Sequence, residues 1–376
     1  MDPWIEEHAA AIAARAEREL EALVAISTPS GDVHGAEEAV ALVAALAPNE
    51  ATIERVECSS PGHAADLVVR VAGDGTKRLL LVGHLDTVIA HEDHRPLTRD
   101  GDKLIGSGVI DMKGGDILAL GVLRALVARR DELAEVALLL VCDEEWRVGP
   151  FVHVPRFAGF DACLCFEGAQ LADDGLDAVV VKRKAAGTLN VVAHGRSSHS
   201  GSAPDKGVNA LLALAAAAQA IASQHDPHGP HRLTAVPTVL HAGDAFNVVP
   251  GSGELVSDLR ADTLEAFQGV LAAVPEELGG ARLEARLVRE WPGMDARETT
   301  GTLIESASEA VGRPIVPAGR GGASDASHFA AHIPLTVDGL GPLGGGAHAP
   351  HEYLLASWMR PRAEVALAIA DAALRA

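Results

Sequence analysis

The chain has 376 residues, which is longer than a single hydrophobic core usually grows, so we expect two domains. Its 48% hydrophobic and 22% charged residues are typical of a soluble globular protein. The net charge of −21 argues against nucleic acids and anionic membranes as partners, because their phosphates would be repelled.

The N-terminus has no basic stretch followed by an apolar segment, so no signal peptide is expected. No apolar run approaches the roughly 18 residues that a membrane-spanning helix needs. Of the cysteines Cys58, Cys142, Cys163 and Cys165, the last three lie in apolar runs, which favours buried thiols over disulfides or metal ligands. We therefore expect a cytoplasmic protein.

The first half of the chain alternates between strand and helix patterns. Residues 5–26 have helical periodicity that ends at a breaker cluster, and residues 116–130 predict a second helix after a Gly-Gly turn. Apolar runs predict buried strands at residues 65–71, 78–82, 136–142 and 162–166. This alternation predicts an α/β fold with a mainly parallel sheet.

The pattern changes from about residue 184. Strands are predicted at residues 186–193, 233–241, 254–260 and 281–289, with helices at residues 207–222 and 263–274. The order β-α-β-β-α-β is the split βαβ, ferredoxin-like arrangement of an α+β domain. We therefore predict a main domain of residues 1–182 and 292–376, with an inserted domain of residues 183–291.

Acidic and histidine-bearing segments follow the predicted strands of the first half. They are GHLDTV at residues 83–88, GVIDMKGG at 108–115, DEE at 143–145 and FEG at 166–168, with GAHAPHE at 346–352 near the C-terminus. Ligands of parallel α/β sheets gather outside the carboxyl ends of the strands. Two histidines and three carboxylates match the ligand count of two zinc ions that share one carboxylate, which leaves one glutamate as a base.

Each segment alone has a simpler interpretation. His84 and Asp86 by themselves would be a polar strand end, and Asp111 in its glycine-rich turn would be merely a turn. The acidic triplet at residues 143–145 would be a solvated loop, although three like charges repel one another unless cations or protons relieve them. Asp86 is too close to His84 along the chain to bind the same ion comfortably, but it can accept the imidazole N–H. The five segments in one order are far more specific than any one of them.

The strings VGHLDTV, GSGVIDMKGG, CDEE, CFEGA and GAHAPHEY together resemble the co-catalytic zinc peptidase family of glutamate carboxypeptidase and aminoacylase. Acetylornithine deacetylase and succinyl-diaminopimelate desuccinylase belong to the same family. The resemblance implies a catalytic domain that binds two zinc ions, with cobalt as a substitute, and an inserted lid and dimerisation domain. The implied ligands are His84 and Glu167 for one ion, Glu145 and His348 for the other, and Asp111 as the bridge.

The resemblance also implies roles for residues outside the ligand set. Glu144 would be the general base and acid, and Asp86 would be the partner of His84. In the inserted domain, His199 would reach the substrate carbonyl of a neighbouring active site in a homodimer. Asn247 and Arg260 match positions that contact substrate, and a guanidinium suits a substrate carboxylate. Without the metal motifs, His199 would be a turn histidine and Arg260 a surface arginine.

Two departures from the family pattern bear on these assignments. Trp146 and Arg147 stand where the family usually has a small residue and glycine, so the pocket wall can differ. His351 follows His348 by three residues and is an alternative ligand, although the spacing to the Glu-Tyr pair favours His348.

We expect hydrolysis of an amide or peptide bond in a small substrate with a free carboxylate, as in glutamate carboxypeptidase. Related aminopeptidases and dipeptidases tend to carry Asp in place of Glu167, which favours carboxypeptidase chemistry or the alternative, an N-acyl-amino-acid deacylase. A non-catalytic zinc-binding protein is a further alternative, against which the presence of Glu144 argues. A Ser/His/Asp hydrolase built on Ser324 and His328 lacks the Gly-x-Ser-x-Gly elbow.

Overall fold

The computed structural model describes all 376 residues, which form two compact units. The first unit comprises residues 1–182, 295–319 and 324–376, and the second comprises residues 183–294 and 320–323. No helix combines the length and the apolar composition that crossing a membrane requires.

A six-stranded sheet forms the centre of the first unit. In sheet order its strands are Thr52–Val56, Asp66–Ala72, Leu133–Val141, Lys77–His84, Ala162–Cys165 and Leu335–Val337. The last four strands are parallel to one another, and Asp66–Ala72 runs antiparallel to both of its neighbours. The predicted α/β class with a mainly parallel sheet is confirmed.

Apolar runs and helices form the core around this sheet. Residues 79–82 are fully buried, as expected for a strand covered on both faces. The helices of this unit span Pro3–Val24, Val33–Leu46, Gly114–Leu126, Val154–Phe157, Arg297–Val311, Ala326–Ala330 and Met359–Arg375. Shorter strands outside the sheet span Thr98–Asp100, Lys103–Ile105, Gln170–Leu171, Asp177–Arg183, Met294–Asp295, Ile315–Arg320, Gly344–Gly345 and Tyr353–Leu355.

The helix Gly114–Leu126 lies against the backbone at the end of a neighbouring strand. A Cβ atom at Gly115 would lie 1.9 Å from the carbonyl oxygen of Phe166. Only glycine therefore permits this close approach of the helix start to Phe166, the residue that precedes Glu167.

The second unit is built on a five-stranded antiparallel sheet. In sheet order its strands are Thr234–Ala242, Ser252–Ala261, Ala185–His194, Ala281–Trp291 and Glu277–Leu278. The helices Ala210–Ala222 and Ala266–Ala273 complete it, and the short strands Ser198–His199 and Val248–Val249 pair with each other. Leu189, Leu214 and Phe267 belong to its separate hydrophobic core. The strand order and directions are those of the predicted split βαβ arrangement.

The first helix of the second unit begins three residues later than the sequence predicted. The Asn209 side chain accepts the backbone N–H of Leu212 and caps a helix that starts at Ala210. Residues 204–206 instead form a separate 3₁₀ turn. The helix Val33–Leu46 was not predicted, although Asp32 caps it in the same way by accepting the N–H of Gly35.

Candidate metal centre

Three neighbouring parallel strands bring the acidic segments to one edge of the sheet. His84 ends the strand Lys77–His84, which lies between Leu133–Val141 and Ala162–Cys165. Glu145 and Glu167 follow these two outer strands by four and two residues. Because all three strands are parallel, their carboxyl ends meet at the same edge.

Five side chains form two groups that share Asp111. In the first group, His84 Nε2 lies 3.2 Å from Asp111 Oδ1 and 3.9 Å from Glu167 Oε1. In the second, His348 Nε2 lies 3.1 Å from Asp111 Oδ2 and 3.2 Å from Glu145 Oε1. The two oxygens of Asp111 therefore face different imidazoles, which is the arrangement that a bridging carboxylate needs.

The distances and the donor atoms fit divalent cations. A tetrahedral ion with bonds of about 2.0 Å separates its ligand atoms by about 3.3 Å. Three of the four measured separations are 3.1–3.2 Å, and the fourth is 3.9 Å. Imidazole nitrogen and carboxylate oxygen are ligands suited to zinc and neighbouring transition metals. The two groups can thus hold two ions with Asp111 common to both.

The electrostatics of the two groups also favour cations. Burial raises the pKa of Asp111, but hydrogen bonds from His348 and His84 outweigh it and bring the pKa below its usual value. In return, Asp111 and Glu145 raise the pKa of His348 to about 10. Burial lowers the pKa of His84, yet hydrogen bonds to Asp111 and Asp86 leave it well above the usual value. The surrounding carboxylates thus stabilise positive charge at this centre, whether that charge is carried by a proton or by a bound cation.

Glu144 lies beside the two groups but belongs to neither. Its side chain is buried, and burial raises the pKa of its carboxyl well above the usual value. A buried carboxyl with a raised pKa, next to candidate metal ligands, has the properties of a general base.

Asp86 forms hydrogen bonds with the backbone of the acidic triplet at residues 143–145, which the sequence did not predict. Its Oδ1 and Oδ2 accept the backbone N–H groups of Glu144 and Glu145 at 3.0 and 3.1 Å. The Nδ1 atom of His84 lies 3.0 Å from the backbone oxygen of Asp86 and 3.4 Å from Oδ1. The carbonyl is thus the nearer acceptor for the imidazole, because the carboxylate turns toward the two N–H groups.

Glu352 was not assigned a role by sequence analysis, although it lies four residues after His348. Its buried carboxylate accepts backbone N–H groups of Gly108, Ile110 and Asp111 at 2.9, 2.8 and 3.0 Å. Through these hydrogen bonds, the C-terminal segment holds the backbone of the turn that carries Asp111. Its place in the Glu-Tyr pair of the GAHAPHEY segment was the only signal in the sequence.

The two residues that depart from the family pattern point in different directions. Arg147 is fully buried and forms ion pairs with Asp143 and Asp325, while its guanidinium also lies 4.3 Å from the Phe151 ring centroid. Trp146 is 60% exposed. Arg147 thus offsets two buried carboxylates next to Glu144, and only Trp146 faces outward.

The loop near the C-terminus brings His348 and not His351 into the centre. His348 adopts a φ of 63°, two residues after Gly346 with a φ of 75°. His351 is exposed and belongs to neither group of candidate ligands.

The remaining predicted site residues lie in the second unit. His199 is exposed, and its Nδ1 accepts the backbone N–H groups of Gly201 and Ser202, both at 3.1 Å. Asn247 is exposed. Arg260 forms an ion pair with Asp258, two residues away on the same strand, at 2.9 Å.

The geometry and the fold agree with comparisons to known proteins. Residues 80–372 match peptidase family M20/M25/M40, which covers well over half of the chain. The protein belongs to this family and is a hydrolytic enzyme of the metallopeptidase class.

Named relatives differ in their substrates. The chain is 28% identical over 345 residues to carboxypeptidase G2 from a Pseudomonas species, with 88% of this chain and 82% of the relative covered. It is also 28% identical over 321 residues to succinyl-diaminopimelate desuccinylase from Afipia carboxidovorans, with coverages of 76% and 81%.

A solved structure with a similar fold is the aminopeptidase PepT from Bacillus cereus. The TM-score is 0.75 with 18% identity, and 96% of this chain and 98% of that chain are covered. At this identity the likeness shows the fold alone.

Proposed function

We propose that the protein is a two-zinc hydrolase that cleaves the amide or peptide bond of a small substrate with a free carboxylate. The observation that carries the proposal is Asp111, whose two oxygens face two separate groups of candidate ligands, with Glu144 buried beside them. A single-metal or purely structural site would need neither the shared carboxylate nor the extra buried acid.

In this proposal the five clustered residues hold the metal. His84 and Glu167 would bind one zinc ion, Glu145 and His348 would bind the other, and Asp111 would contact both. When bound, the two ions would polarise the substrate carbonyl and acidify a water molecule. Cobalt, which prefers the same nitrogen and oxygen donors, is expected to substitute.

Glu144 moves the proton. Its carboxylate accepts a proton from the attacking water and passes it to the nitrogen of the departing amine, so that the amide and water become a carboxylic acid and an amine. Burial raises the pKa of Glu144, which is the direction that suits a group that must both accept and release a proton. Asp86 fixes the backbone of Glu144 for this task.

Residues of the second unit complete the proposal. Nδ1 of His199 accepts two backbone N–H groups, so in the neutral imidazole the proton lies on Nε2. Nε2–H is then a donor suited to the oxyanion that develops at the carbonyl. Asn247 and Arg260 are proposed to contact the substrate carboxylate, for which Arg260 would share its guanidinium with Asp258.

We also propose a homodimer formed through the second unit, in which His199 serves the partner's centre. The edge strand Thr234–Ala242 carries the exposed apolar side chains of Val236, Val239 and Leu240, a surface suited to pairing with a second copy. Sedimentation would measure the dimer. Mixing His199→Ala with Glu144→Ala chains, after confirmed subunit exchange, should restore partial activity, and no restoration would contradict service to the partner.

The relatives favour two substrate types. Similarity to carboxypeptidase G2 supports a carboxypeptidase, and similarity to succinyl-diaminopimelate desuccinylase supports an N-acyl-amino-acid deacylase. Both reactions leave an amino acid with a free carboxylate. The choice between them depends on the pocket that receives the acyl side.

A substrate panel with metal control tests the proposal. Purified protein is assayed against N-acyl amino acids and dipeptides, as isolated, after a strong chelator, and after addition of zinc or cobalt. We expect hydrolysis that the chelator abolishes and that either metal restores. Elemental analysis that finds clearly fewer than one metal per active chain would contradict the two-metal site.

A further inference from the structure

A cavity of about 320 Å³ adjoins the candidate metal centre within the first unit. His348 forms part of its wall, so the cavity begins at a proposed metal ligand. Its lining includes the apolar side chains of Val88, Ile89 and Pro350 and the polar side chains of Arg95 and Ser107. A substrate whose carbonyl reaches the metals can extend a short group into this space.

The backbone of Arg95 is held in place at the cavity wall. Its N–H donates to Ser107 Oγ at 2.9 Å, and the N–H of Ser107 donates to the Arg95 carbonyl at 3.0 Å. One guanidinium nitrogen, Nη1, donates to the Pro350 carbonyl. The remaining donors of this guanidinium have no protein partner.

No carboxylate pairs with Arg95, although the chain has 52 acidic and 31 basic residues. Asp93 lines the same cavity without forming an ion pair with it. Arg99, four residues later, does pair with Glu17 at 2.5 Å. A guanidinium left without a carboxylate in so acidic a chain, at a cavity beside the metal centre, is placed to bind an anion from outside.

We propose that this cavity receives the acyl side of the substrate and that Arg95 binds a carboxylate at the far end of the acyl group. The substrates would then be amino acids acylated by a short dicarboxylic acid, such as succinyl or glutaryl derivatives. This inference rests on the proposed function. The apolar lining residues suit the methylene groups of the acyl chain, and the guanidinium fork matches the terminal carboxylate.

The test compares two substrates that differ only at the acyl terminus. One is an N-succinyl amino acid, and the other is its N-succinamoyl analogue, in which an uncharged amide replaces the terminal carboxylate. We expect the native enzyme to favour the succinyl substrate by about 10- to 100-fold in kcat/KM, the effect of a hydrogen bond between charged groups. Arg95→Met should remove that preference by lowering kcat/KM for the succinyl substrate while leaving kcat/KM for the succinamoyl substrate unchanged. Arg95→Lys should keep part of the preference.

Arg99→Met is the matched control, because Arg99 is exposed and does not line the cavity. It should leave the preference unchanged. An equal loss on both substrates in Arg95→Met, with reduced metal content, would mean that Arg95 only holds the loop of Pro350 and would overturn the proposal. A native enzyme without preference for the succinyl substrate would overturn it as well.

Binding measured without turnover separates this inference from the proposed function. Calorimetry with glutarate and with its monoamide should show tighter binding of glutarate, by about 10-fold or more, that Arg95→Met abolishes. If no substrate is hydrolysed but this difference remains, the cavity inference stands and the proposed hydrolysis fails. If hydrolysis occurs and the difference is absent, the cavity inference is wrong.

Discussion

The carboxylate of Glu352 accepts a hydrogen bond from the backbone N–H of Asp111 at 3.0 Å. The same carboxylate accepts the N–H groups of Gly108 and Ile110, so a single side chain holds one turn through three hydrogen bonds. The turn in question presents Asp111 to both groups of candidate ligands. We therefore expect Glu352 to hold Asp111 in the position in which its two oxygens face two imidazoles.

Glu352→Ala should weaken metal binding by about 10- to 100-fold, the usual effect of removing a residue that orients a ligand. The substitution leaves three backbone N–H groups without their acceptor, and the turn can then move Asp111. Competitive titration with a chelator measures the affinity. Glu305→Ala, at an exposed position of the helix Arg297–Val311, is the control and should bind metal normally. Unchanged affinity in Glu352→Ala would show that the turn keeps its shape without these bonds.

Glu144→Ala should lower kcat by on the order of 100-fold or more, because the proton transfer loses its base. Its metal content should stay close to that of the native protein, since Glu144 belongs to neither ligand group. Glu145→Ala is the matched comparison and should instead lose metal, because Glu145 lies 3.2 Å from His348. Kinetics and elemental analysis of both variants separate the roles. If Glu144→Ala lost its metal, the two glutamates would have to exchange assignments.

Much of the fold and the grouping of the candidate ligands could be predicted from the sequence. The buried strand that ends at His84 is a continuous apolar run, and such runs predict parallel strands whose ends meet at one edge. The hydrogen bonds of Glu352 could not be predicted, because its acceptor atoms meet N–H groups more than 240 residues away in the chain. The buried ion pair between Arg147 and Asp325 could not be predicted either, so the sequence suggested only that Arg147 alters the pocket wall. Its partner Asp325 is 178 residues away, and only the fold brings it close.

Arg147→Met should lower the free energy of unfolding by about 3–5 kcal/mol, because it leaves Asp143 and Asp325 as buried carboxylates without a cation. Chemical denaturation of the metal-free protein measures the change. The double variant Arg147→Met/Asp325→Asn should recover part of the loss, since it removes one of the two unpaired charges. Equal instability of the single and double variants would mean that packing against Phe151, and not charge, is what Arg147 contributes.

Gly115→Ala should both destabilise the protein and disturb the first group of ligands. The new Cβ would lie 1.9 Å from the carbonyl oxygen of Phe166, so the helix or the strand end must shift, at a cost of about 1–3 kcal/mol. Phe166 directly precedes Glu167, whose oxygen lies 3.9 Å from His84 Nε2, and any shift of its backbone changes that distance. We expect lower unfolding free energy together with the loss of about one metal ion per chain.

Gly301→Ala is the control for this change. Gly301 lies inside the helix Arg297–Val311, and nothing lies within 4 Å of an added Cβ. Alanine there should stabilise the protein by about 0.5–1 kcal/mol, because glycine is a poor helix former, and the metal content should not change. Denaturation and elemental analysis apply to both variants. If Gly115→Ala were destabilised but kept its full metal content, the close approach to Phe166 would serve packing alone, and the position of Glu167 would be set by its own strand.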